Sequence, residues 1–177
     1  MKEYILGAAL VVILSFTFLA AVDINRFLEQ DEIFDTCLQD SANAAALFYD
    51  YNEFGEGYKV FIDEEAIKAV DEVLEGTYDL GETDNRYLNA AFDRYITIYD
   101  DSLKKREYKN GVLESSSDFT YGIRDVDQKG HERDILNPTI IVYVDAGHPE
   151  MQLRVFRDKI VMNDSAAYVY QDDFEFI

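Results

Sequence analysis

Hydrophobic and polar positions divide the chain into three stretches with different periods. From Tyr4 to Val22 no residue is charged, and the run Ile5-Leu6-Gly7-Ala8-Ala9-Leu10-Val11-Val12-Ile13-Leu14 is followed by Phe16, Phe18 and Leu19. As a helix this segment rises about 28 Å, close to the hydrocarbon core of a bilayer. Ser15 and Thr17 can return their hydroxyls to helix carbonyls, so neither opposes insertion. A cleaved secretory signal is the competing reading, but Leu19-Ala20-Ala21-Val22-Asp23 is only a fair exit site and the run is long for a signal. A retained transmembrane segment over residues 1–22 is expected.

The second stretch is amphipathic. Ile24, Phe27, Leu28, Phe34, Leu38, Ala42, Ala45 and Phe48 recur at steps dominated by three and four, with Asp23, Gln30, Asp31, Asp35, Gln39 and Asp40 mainly on the other face. Neither Pro nor Gly occurs between Ala8 and Phe54. The pattern predicts one continuous helix from about residue 3 to about residue 50, near 70 Å long. Residues 23–53 form its amphipathic stalk. The apolar stripe must bury itself against the chain's own globular part or against neighbouring copies.

Residues 54–177 read as an acidic α+β head. Gly55 and Gly57 open the short apolar run Tyr58–Ile62, and Asp63 suits an N-cap with Glu64 and Glu65 in the first turn. Ala66, Ile67, Val70, Val73 and Leu74 make one face of a helix over 63–75, with Gly76 placed for a left-handed C-terminal residue. A shorter helix is expected near 84–95. Then the period changes to that of strands. Tyr95–Tyr99, Lys104–Tyr108, Val112–Ser116 and Thr139–Val144 are strand-like, and Lys109-Asn110-Gly111 signals a type I′ hairpin. Phe119–Ile123 is a weaker candidate, and Met151–Phe156, Ile160–Met162 and Ala166–Tyr170 continue an antiparallel meander. The fold class is α+β: a long N-terminal helix, short helices, then an antiparallel sheet.

Charge narrows the partners. The chain carries 36 acidic and 16 basic residues in 177, a formal net charge of −20. The excess is spread as −6 over residues 1–50, −10 over 51–101 and −4 over 102–177, so it is not an acidic tail. Such a surface excludes nucleic acid as partner and disfavours docking on anionic headgroups. The membrane itself is the expected partner of residues 1–22. Lys2 and the amino terminus against Arg26 give a narrow margin for an N-terminus inside, which places the head outside the cytoplasm.

Chemistry-bearing residues are sparse. His131 and His148 lack metal-ligand spacing and read as loop residues. Asp125-Val-Asp127-Gln-Lys129-Gly130 resembles the start of an EF-hand loop, but Lys129 and Leu136 stand where oxygen ligands are needed. Asn163-Asp164-Ser165 is the sole glycosylation triplet. Cys37 excludes an intrachain disulfide and reads as a buried stripe position, with an interchain bridge between parallel stalks as the minority reading. Glu3, at the edge of the apolar run, can sit at headgroup level, or pair with Lys2 or a neighbour's terminal amine. No catalytic, metal or cofactor-binding residues and no cofactor are expected, and the chain reads as a non-enzyme.

The unbroken passage of Tyr4–Val22 into the Ile24–Phe48 stripe, the Ala-rich Asp40-Ser-Ala-Asn-Ala-Ala-Ala46, and a sheet ending Ser165-Ala-Ala-Tyr-Val169 resemble type IV pilin-like proteins, in particular small pseudopilin-like proteins of Tad-type secretion systems. The family's prepilin cleavage pattern is not matched, because Gly7 lies inside the apolar run. The resemblance implies a surface structural subunit or accessory of a pilus or secretion filament, with copies of itself or other pilin-like subunits as partners. Assembly would run through Glu3, Ile24, Phe27, Leu28, Phe34 and Leu38, and the product would be a single-pass protein of the cell membrane, its head extracytoplasmic or in extracellular filaments. The alternative function is a monomeric, membrane-tethered extracytoplasmic binding or sensor module.

Overall fold

The computed structural model describes residues 2–78, 93–126, 130–147 and 161–171. Helix α1 spans Lys2–Ala45, a short α2 spans Tyr51–Gly55, and α3 spans Asp63–Tyr78. Among the described residues seven strands follow: β1 (Asp93–Tyr99), β2 (Lys104–Lys109), β3 (Val112–Asp118), β4 (Ile123–Val126), β5 (Glu132–Ile135), β6 (Thr139–Gly147) and β7 (Met162–Val169). Five form one antiparallel sheet in the order β3-β2-β1-β6-β7, and β4 pairs with β5 apart from it. The chain is therefore α+β, as its periodicities predict.

α1 and α3 run antiparallel on one face of the large sheet, since Cys37 lies against Val73 while Phe48 bonds Ile62. Phe34, Leu38, Ala42 and Ala45 of α1 meet Ala66, Val70 and Leu74 of α3 above Ile96, Ile98, Ile140, Val142 and Val144. The small residues at this seam let the two backbones approach closely. On the opposite face Tyr99, Phe119, Ile135 and Ile141 form a second, smaller core beneath the β4–β5 hairpin. Because β6 is covered on both faces, it reads in sequence as an unbroken apolar run rather than an alternation.

Several expected boundaries move. α1 stops at Ala45, short of residue 50, because Leu47 and Phe48 close a tighter turn and the chain enters a β-bridge between Tyr49 and Phe61. Asp50 then caps α2, its Oδ1 accepting the Asn52 amide at 2.8 Å. α3 continues through Gly76 to Tyr78, and its cap is Ile62, whose carbonyl accepts Ala66 N–H at 2.9 Å; the Asp63 side chain is directed to β2 instead. The hairpin turn is as predicted, Asn110 and Gly111 both having positive φ (50° and 79°). Residues 119–122 lie outside any strand, with a turn at Tyr121 and Gly122, and β4 begins only at Ile123. Residues 93–95, expected to end a helix, open β1; the rest of that helix (84–92), the strand Met151–Phe156 and His148 lie outside the described residues.

Candidate functional site

α1 carries two surfaces in sequence. Its first part is long and apolar enough to cross a membrane, and none of that apolar window is buried in the molecule. Thr17 Oγ1 donates to the Ile13 carbonyl at 2.9 Å, so its hydroxyl is satisfied within the helix. Glu3 lies exposed in the first turn, where the helix dipole favours a carboxylate.

Beyond residue 22 the helix changes role over about three turns. Ile24 (49% exposed) and Leu28 (56%) remain outside the head, and Phe27 packs partly against its core. From Phe34 onward the inward positions are closed: Phe34 and Leu38 are each 1% exposed. Of the six residues expected to carry assembly, Glu3, Ile24 and Leu28 are therefore on the free surface, while Phe34 and Leu38 are covered by the chain's own head. Cys37 is buried against α3, its Sγ 3.9 Å from the Val73 carbonyl, and burial pushes its thiol up. A bridge between stalks requires that helix pair to open. Open grooves of about 300 and 340 Å³ lie beside α1, the first reaching Cys37 and Thr77 and the second Arg133 and Asp164. Among the described residues no group of three His, Cys, Asp or Glu side chains is placed to hold a metal ion.

The far end of the head holds a constellation that the sequence does not announce. Lys59 is 5% exposed, and its Nζ lies 4.3 Å from the Tyr170 ring, 4.7 Å from Tyr49, 5.2 Å from Tyr168 and 5.5 Å from Phe61. It also donates to Tyr168 Oη at 3.4 Å. Burial lowers the Lys59 pKa, and the ring faces supply the compensation that a carboxylate usually gives. Tyr49 further touches Tyr51 and Phe54, and Phe54 meets Tyr170 edge-on.

Consecutive acids after β1 fasten this corner to the sheet. Asp101 Oδ2 accepts the Lys59 amide at 2.6 Å and Asp101 Oδ1 the Tyr121 hydroxyl at 2.7 Å. Asp100, with no exposed surface, accepts the Phe61 amide at 3.1 Å and Arg106 at 2.5 Å. Arg106 also reaches Asp63 at 2.8 Å, and Tyr108 donates to the same carboxylate. The one advance signal was local: a lysine inside the aromatic run Tyr58–Ile62. Its partners Tyr168 and Tyr170 are more than a hundred residues away in sequence. Asp125, part of the rejected EF-hand pattern, pairs with Lys105 at 2.9 Å. No family profile, no curated protein and no solved structure matches the chain.

Proposed function

We propose that this chain is a non-enzymatic, membrane-anchored structural subunit or accessory of a pilus- or secretion-type filament, assembling through its N-terminal helix in the manner of type IV pilin-like and Tad-type pseudopilin-like proteins. The observation that carries the reading is α1 itself. One unbroken helix offers an apolar, uncovered first half and a second half that is the spine of the head. A filament of such subunits buries the first halves together and displays the heads. Exposed Ile24 and Leu28 extend the apolar surface past the bilayer, where lipid no longer covers it, and neighbouring copies of α1 are the proposed cover. The acidic head, placed outside the cytoplasm, limits unwanted association between displayed domains.

A second reading, a monomeric membrane-tethered binding module, draws on a different observation. Because Phe34 and Leu38 are covered internally, the head's core closes without help from a neighbour. Shearing intact cells and imaging the released material separates the two. Recovery of the chain in regular filaments supports the subunit reading. Retention in the membrane as a monomer, with the head open to external protease, contradicts it and supports the tether.

A further inference from the structure

The corner between α1 and α3 carries a cluster of exposed apolar side chains. Leu47, Tyr51 and Tyr58 are 69%, 75% and 53% exposed, and Phe48 and Phe54 about two-fifths. These positions are fixed rather than loose. The Tyr49–Phe61 bridge, the Asp50 cap of α2 and the bond from Ile62 N–H to the Phe48 carbonyl hold the segment, and its rings stack on the box around Lys59. Rigid aromatic side chains on a fixed surface are the usual anchors of protein recognition.

The charge at this corner selects the partner. Between Leu47 and Ile62 the charged residues are Asp50, Glu53, Glu56 and Lys59, and the lysine is enclosed by rings. Glu53 and Glu56 are exposed, and no basic side chain among the described residues pairs with either. Exposed rings beside unpaired carboxylates favour a cation that can lie on a ring face while its charge meets an acid. The rings beneath already hold one ammonium, that of Lys59, on their faces. As partner of this corner a second copy is disfavoured as a whole, because each chain carries a net charge of −20 and two such surfaces repel. The bilayer that α1 can cross does not reach the corner, which lies about 35 Å beyond residue 22 along the helix axis.

We propose that the Leu47–Tyr58 corner is a docking surface for another protein, which it takes through a segment bearing both basic and apolar side chains. The inference goes beyond the assembly reading and holds whether or not α1 polymerises. The test uses the full chain in phosphatidylcholine nanodiscs, with empty discs as control. Three labelled twelve-residue probe peptides carry a photo-crosslinker: one alternating Lys and Leu, one with Glu replacing Lys, one with Ser replacing Leu. The expected result is that the Lys/Leu peptide alone binds well and crosslinks within residues 47–62. The double variants Tyr51→Ser/Tyr58→Ser and Glu53→Gln/Glu56→Gln each weaken it about tenfold with unchanged thermal melting. No binding, equal binding of all three peptides, crosslinks scattered over other acidic surface, or affinity unaltered in both variants overturns the proposal. So does crosslinking between copies through a photo-reactive residue at Tyr58.

Discussion

The two halves of α1 share one backbone and one apolar character, yet they solve opposite problems. In the first half every side of the helix is apolar and nothing in the molecule covers it. In the second half a single stripe is apolar, and α3 and the sheet close over it until Phe34, Leu38 and Ala45 are inaccessible. The transition runs from Asp23 to Ile33. Apolar periodicity does not report the partner: one stripe runs from Ile24 to Leu38, free at Ile24 and Leu28 and closed over at Phe34 and Leu38. Only the position of the head along the helix decides, and that is a tertiary fact.

The largest expected effect breaks the second half and spares the first. Phe34→Asp or Leu38→Asp places an unpaired charge in a closed core and destabilises the head by about 4 kcal/mol or more. Leu28→Asp, on the free surface, shifts head unfolding by less than about 0.5 kcal/mol. Thermal melts followed by tyrosine near-UV signals in detergent compare them, and equal losses erase the distinction drawn between the halves.

Next in size is the fastening of the aromatic corner. Arg106→Met leaves Asp100 buried beside the Phe61 and Ser102 amides without its cation, at a cost of about 3–5 kcal/mol. Amide exchange at Lys59 and Phe61 should accelerate in step with the melting loss. Unchanged protection there means that Asp100 does not hold the corner.

A smaller effect is alkaline. Burial, with the Asp63 and Asp101 carboxylates as acceptors, raises the folded-state pKa of Tyr108 and Tyr121 above the ordinary phenol value. Their stabilisation is complete below about pH 10 and is lost as pH rises further, because the unfolded chain ionises first. Lys59 acts in the opposite sense: its lowered folded pKa makes stability rise with pH up to about 10.5, where the unfolded lysine also deprotonates. Urea midpoints at several pH values, for the parent chain and for Tyr121→Phe, separate these; Tyr121→Phe should flatten the loss above pH 10. The smallest effect on the fold is that of Glu3→Gln, which should leave head unfolding unaltered and change only self-association of the membrane-embedded chain, measured by sedimentation in detergent.

Much of the fold was legible because its strongest patterns are local. The apolar run, the α3 stripe, the Asn110-Gly111 turn and the continuous apolar strand β6 each declare themselves within ten or so residues. What was missed is long-range or polar. β4 and β5 are four residues each, rich in charge, and are tied by Arg124 to Glu132 and Asp134 across the hairpin rather than by an apolar alternation. The end of α1 has no breaker in sequence, since a bridge from Phe61 turns the chain. The Lys59 box depends on Tyr168 in β7 and Tyr170 just beyond it, which no local spacing can announce.

Copies of α1 are proposed to meet through the free surface of the helix while the head's core stays private to each chain. Single cysteines in a Cys37→Ser background, at Ile24, Leu28 and Phe34 in turn, test it by oxidative crosslinking of the full chain in its membrane. Covalent dimers are expected from Ile24→Cys or Leu28→Cys and none from Phe34→Cys. Dimers from Phe34→Cys, or none at any position, contradict it.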